Sequence, residues 1–267
     1  LNAAKGGHTG TLDPMASGLL PLTLGEATKF SQTLLDADKA YDATVLLGVT
    51  TTTADAEGEV LARCPVEVSD ADIERALVQL RGDIEQVPPM YSALKHHGKA
   101  LYEYARAGVV IPREPRHVKI HRFECLGRDG DSLMVRVECS KGTYVRTLAS
   151  DLGAMLGCGA HLTALRRTRI GPFMIDGAVP LADIEAMPPE ERDSLLAPVD
   201  SLLVHLPRLD LDANQTRSFT HGQSAQGCVG EVGAMFRVYH DESFLGVGSL
   251  DDTGALVPTR LISTSNQ

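Results

Sequence analysis

The sequence predicts an α+β fold of mixed strand and helix order, with a small β-rich module at its C-terminal end. Three observations carry this. Alternating apolar and polar residues mark half-buried strands from Tyr41 to Gly48 and from Ser132 to Cys139, with a shorter candidate from Val118 to Phe123. Apolar residues recur at helical spacing in two separate windows, without the regular strand-helix-strand repeat of a parallel sheet. After Leu206 the segments shorten, glycines become frequent (Gly222, Gly227, Gly230, Gly233) and helical periodicity fades. With 267 residues, 43% hydrophobic and 22% charged, the chain can bury a sizeable core, as one large domain or one with an appendage.

Near the start, GHTGTLDP (Gly7 to Pro14) sets one carboxylate, Asp13, between glycines and a proline. Two readings stand side by side. A carboxylate held in a tight loop, beside the hydroxyls of Thr9 and Thr11 and the ring of His8, can act as a nucleophile, with Gly7 and Gly10 letting backbone approach a ligand. Asp followed by Pro also begins helices, with Asp13 as N-cap and MASGLL entering the core. The Tyr41 strand follows. Ser69 then caps a helix through Leu80, with Asp70 and Asp72 in its first turn, Ile73, Ala76, Leu77 and Leu80 on one face, and Gly82 as its stop. Pro88 to Gly108 mixes aromatics with basic residues behind a double proline. That suits a loop folding over a ligand, although Leu101, Tyr104 and Ala105 also fit a surface helix. After the Val118 and Ser132 strands, a second helix opens behind KGTY, with Val145, Leu148, Ala149, Leu152, Met155 and Leu156 in rhythm and Gly157 ending it. A composition shift from Pro198 to Pro207 marks the boundary of the last module.

The net charge of −10 is unevenly spread. Between Tyr91 and Arg122, seven basic residues (Lys95, Lys99, Arg106, Arg113, Arg116, Lys119, Arg122) face two acids, a net +5; Lys141 to Arg169 carries +4, which leaves −19 elsewhere. Such a chain can turn a basic face to phosphates while its acidic remainder keeps it soluble, or simply pair those cations with acids from elsewhere. His96, His97, His117 and His121 have no carboxylate or thiolate at ligand spacing, so no metal is expected. Five scattered cysteines without a CxxC pair read as reduced thiols in a cytoplasm. No uncharged run approaches the roughly 18 residues of a membrane span, and no targeting leader is evident. Leu1 reads as lying inside a continuing segment, so a preceding piece is expected.

Five blocks, GHTGTLDPMASGLLPLTLGEATKF, DADKAYDATVLLG, RGDIEQVPPMYSALKHHGKALYEYARAG, SKGTYVRTLASDLG and LGCGAHLTALRRTRIG, resemble the bacterial TruB type of tRNA pseudouridine synthase in order and spacing. The resemblance covers residues 5 to 172 strongly and the C-terminal module weakly. It implies a catalytic domain over 1–200, built on a mixed, mainly antiparallel sheet flanked by helices, with a thumb-like RNA-binding insertion at about 88–117. It also implies a PUA-like RNA-binding module over 201–267. The implied activity is cofactor-free isomerisation of a uridine in the T-arm loop of tRNA, by a monomer that uses neither metal nor membrane.

By position, Asp13 matches the family's catalytic aspartate, and Arg146 the arginine that pairs with it. Tyr41 matches the tyrosine stacking on the flipped uracil and is a candidate for removing the final proton. Tyr144 and Leu165 match residues lining the base pocket, and His8 the histidine that contacts the substrate as its loop opens. Taken singly, Tyr41 could start a strand, Tyr144 could pack at a helix start, and Leu165 would be core. Arg146 is different, because an arginine pointing inward needs a partner. One departure is Thr52, which stands where the family usually has Asp, although Asp55 remains. Two other classes compete: a tRNA folding helper that needs the basic surface but not Asp13, and an aspartyl phosphotransferase, which would want a second acid that TLDPMAS lacks.

Overall fold

A computed structural model of the chain describes residues 3–263. They form two compact units. One unit comprises Gly10–Leu20 and Asp36–Ala178; the other gathers the segments up to Thr9, Pro21–Leu35 and the chain from Val179 onward.

The first unit is built on a sheet whose strands run in the order Phe173–Met174, Ala160–Ile170, Lys39–Leu47, Ser132–Cys139, Arg116–Asp129 and Gly82–Gln86, every neighbouring pair antiparallel. Ser17–Gly18 joins it beside Arg166 and Arg167 as a short parallel strand. Alternation places Ala43, Val45 and Leu47 on one face with Leu133, Val135 and Val137, all buried. Two helices cover that face. Asp70–Gln79 supplies Ile73, Ala76 and Leu77; Val145–Met155 supplies Leu148, Ala149 and Leu152. The first starts at Ser69 through a reciprocal capping box with Asp72, as the sequence predicts.

The second unit carries a four-stranded sheet in the order Arg208–Asp210, Met235–His240, Ser243–Leu250 and Leu256–Leu261, the first pair parallel and the others antiparallel. Leu209, Val238, Leu245, Leu250, Leu256 and Phe219 make its core. Gly6–His8 pairs with Leu22–Leu24 in the same unit. No helix among the described residues is long and apolar enough to cross a membrane.

Two local expectations change, and the Pro88 to Gly108 segment keeps both of its readings. No helix follows Asp13: its carbonyl accepts the Ala16 N–H at 2.8 Å, closing a turn with Pro14 at its second position, and the chain goes directly into Ser17–Gly18. The Val118 strand extends to Arg116–Asp129, because register shifts between Ile120 and Arg122 and between Cys125 and Gly127 break the alternation that would have revealed its length. The segment from Pro88 to Gly108 is a loop carrying a small hairpin, Lys95–His96 with Lys99–Ala100, and a six-residue helix, Leu101–Arg106.

Candidate active site

Arg146 organises the site. It lies in the first turn of the Val145–Met155 helix, 4% exposed, on the face that the apolar spacing turns inward. A buried guanidinium is tolerated only if its donors and its charge are answered. Four hydrogen bonds answer them. Nε donates to Asp13 Oδ2 at 2.8 Å and Nη2 to Asp13 Oδ1 at 3.1 Å, a side-on bidentate grip. Nη1 donates to the Thr53 carbonyl at 3.1 Å and Nη2 also to the Tyr91 carbonyl at 2.8 Å. Three chain segments thus meet on one side chain.

Asp13 reaches this grip from the turn it opens. Met15 and Ala16, inside the turn, pack against the sheet core and fix where the carboxylate emerges. Its side chain keeps 34% of its exposure, so one side faces the guanidinium and another faces out. A gripped but accessible carboxylate is placed to meet a ligand.

Asp55 is the residue that pattern reading did not place here. It is buried, 3.6 Å from Arg146 Nε, and accepts from the Thr53 hydroxyl and the Glu57 N–H. It sits in the turn joining Val49–Thr51 to Val60–Arg63, docked on the Ala160–Ile170 strand through Leu162. In sequence an Asp among threonines at a hairpin tip is indistinguishable from an ordinary turn residue. Thr52, by contrast, serves the hairpin: its hydroxyl accepts the Glu59 N–H at 3.1 Å.

The two tyrosines flank the pair. Tyr41, on the Lys39–Leu47 strand, has its phenol pushed up to about 12 by burial, with the Arg167 guanidinium pulling the other way and the Asp13 charge adding to the rise. Tyr144 is the residue at the helix start, and its phenol is raised by burial against the pull of Ser92, Arg116 and Arg146. The buried Gln86 side chain fixes its backbone, Oε1 accepting the Tyr144 N–H at 2.7 Å and Nε2 donating to its carbonyl at 3.1 Å. Leu165, opposite Ala43 in register, is buried within the core cluster. The structure therefore brings Asp13, Arg146, Tyr41 and Tyr144 together. His8 lies on the exposed Gly6–His8 strand of the other unit.

Set beside known proteins, a chain with this antiparallel sheet, loop carboxylate and helix arginine falls in the class of the pseudouridine synthases. The fold agrees with that class. A crystal structure of a Cbf5-Nop10-Gar1 complex superposes with a TM-score of 0.72 over 98% of this chain and 77% of that one, at 27% identity. The family model for the TruB pseudouridylate synthase N-terminal domain matches residues 1–145, and those for two TruB C-terminal domains match 146–204 and 207–262. The tRNA pseudouridine synthase B of Aromatoleum aromaticum is 62% identical over 99% of this chain and 85% of its own length. That of Chromobacterium violaceum is 54% identical over 100% and 88%. The chain belongs to the TruB family of pseudouridylate synthases.

Proposed function

We propose that the chain isomerises a uridine in the T-arm loop of tRNA to pseudouridine, with Asp13 as the nucleophile. The observation that carries this is the bidentate Asp13–Arg146 pair, buried on the arginine side and open on the carboxylate side. The tRNA substrate follows from relatives named tRNA pseudouridine synthase B. In the reaction the bond from ribose C1′ to uracil N1 breaks, a bond from C1′ to C5 forms, and the proton on C5 ends on N1. Nothing is gained or lost overall, so a carboxylate that adds and leaves again divides the change into easier steps.

Reaching the base requires taking it out of its stack, at about a few kcal/mol. Tyr41 offers a ring on which the everted uracil stacks, Tyr144 and Leu165 line the base pocket, and His8 contacts the substrate as its loop opens. With its phenol held up to about 12, Tyr41 enters as a neutral ring. The basic 88–117 segment acts as the thumb that clasps the hairpin, and residues 201–267 as a PUA-like module on the acceptor side. We place the enzyme in the cytoplasm with its substrate, working as a monomer.

Asp13→Asn tests the assignment. It should abolish pseudouridine formation on a T-arm hairpin while leaving RNA affinity within a few-fold, since phosphate contacts survive. Turnover by the variant would sink the nucleophile role. Improved tRNA folding by the same variant would show the folding-helper activity acting separately.

A further inference from the structure

The most deeply buried cation of the first unit is Arg167, 1% exposed, on the Ala160–Ile170 strand. No carboxylate pairs with it among the described ion pairs, which is unusual for a guanidinium removed from water. Its Nε and Nη2 are spent on main chain instead, and the guanidinium also donates towards the Tyr41 phenol. Nε donates to the Leu19 carbonyl at 2.8 Å and Nη2 to the Gly10 carbonyl at 3.0 Å. The same Nε and Nη2 edge grips Asp42 from Arg136 and Asp13 from Arg146. Here the two acceptors come from the two ends of the loop carrying Asp13.

We infer that Arg167 is a positioning residue for catalysis: its guanidinium clips the Gly10–Leu19 loop shut and so presents the Asp13 carboxylate to Arg146. The backbone supports one end by itself, because Leu19 N–H donates to the Arg167 carbonyl at 2.9 Å and Ser17–Gly18 pairs with Arg166 and Arg167. The Gly10 end depends on Nη2, and Gly10, at a φ of 119°, is the point where the chain turns into the loop. A lysine would keep the charge but has no planar fork to span both carbonyls. The loop is seated closely on this strand: a Cβ at Gly18 would lie 2.3 Å from the Arg167 carbonyl oxygen, and Gly18 has a φ of 102°.

This inference rests on the reading of Asp13 as nucleophile, so the test separates the two. Full-length Arg167→Lys should lose about a hundredfold in kcat on the T-arm hairpin while KM and RNA affinity stay within a few-fold. Amide hydrogen exchange should rise selectively over residues 10–20. Gly18→Ala, whose Cβ would press on the Arg167 backbone and lift the loop while leaving the guanidinium itself unchanged, should give the same split. Methylguanidinium should partly restore turnover to Arg167→Ala. Wild-type kcat in Arg167→Lys or in Gly18→Ala would overturn the clamp, as would a loss of kcat accompanied by uniform exchange across the whole sheet. Should Asp13→Asn prove active, the nucleophile reading fails, whereas the exchange result judges the clamp by itself.

Discussion

At the scale of single residues, the proposed chemistry rests on one buried arginine and two acids. Arg146 bonds Asp13 at both oxygens, and Asp55 stands 3.6 Å from the same Nε without taking its hydrogen bond. Asp55 therefore acts as charge compensation rather than as a competing ligand. Replacing it by Asn keeps the Thr53 and Glu57 contacts within reach but leaves Asp13 as the one carboxylate beside Arg146. Asp55→Asn should lower kcat about tenfold with RNA affinity nearly unchanged, as read from single-turnover rates and filter binding. Unaltered kcat would show that Asp13 suffices. Of these residues Asp13, Arg146 and the tyrosines are named through the family resemblance, because each lies in a matched block. Asp55 and Arg167 were not legible as buried charges. Their burial comes from strands more than a hundred residues apart in sequence, a distance no local pattern encodes.

Elements were legible where one face is uniformly buried. The Asp70–Gln79 helix has a capping box at one end and an apolar stripe, so its existence and start could be read directly. Helix Ala213–Thr220 went unread because Phe219 is its only buried residue, leaving no stripe to detect. The Val145–Met155 helix offers a test at this scale. By propensity alone, Gly153→Ala should stabilise a helix by nearly 1 kcal/mol. Packing reverses the sign, since a Cβ there would lie 2.1 Å from the Ala160 nitrogen, where the following strand begins. Urea unfolding should therefore show destabilisation of about 1–3 kcal/mol, with a parallel loss of activity as the helix carrying Arg146 shifts. A more stable variant would contradict the close approach.

The central strands make a second prediction. Tyr41 and Cys139 sit on the adjoining strands Lys39–Leu47 and Ser132–Cys139, and burial pushes both groups up to about 12. A raised phenol binds its proton more tightly in the folded state than in the unfolded one. The phenol's contribution is therefore constant well below pH 10, where both states are protonated, and falls as pH rises from 10 towards 12, while the Cys139 thiol adds its own fall from about pH 9 upward. Tyr41→Phe removes the titrating group, while Lys39 and every other group remain common to both proteins. The gap between wild type and variant should thus move in the variant's favour between pH 8 and pH 11, measured by urea unfolding at each pH. A gap that stays constant would place Tyr41 in contact with water.

Across the whole molecule, the question is how a chain of net charge −10 holds RNA. The structure sorts the basic windows into two sets. Arg122, Lys141 and Arg169 are committed to Glu124, Asp36 and Glu138, so they add little outward field. Lys95, Lys99, Arg106, Arg116 and Lys119 are exposed, and none of them is in an ion pair among those described. Arg116 and Lys119 lie on one strand beside the Gly82–Gln86 edge, with Arg116 close enough to Tyr144 to influence its phenol. On the proposed tRNA reading, each uncommitted cation that meets a phosphate releases about one counterion. The double change Arg116→Ala and Lys119→Ala should then weaken hairpin binding and lower the slope of log affinity against log salt by about 1.5–2, while kcat at saturating RNA is retained. Arg122→Ala, which removes a cation already neutralised by Glu124 and Glu138, should leave the slope where it is. Equal slopes for all three proteins would mean that the RNA approaches from another face.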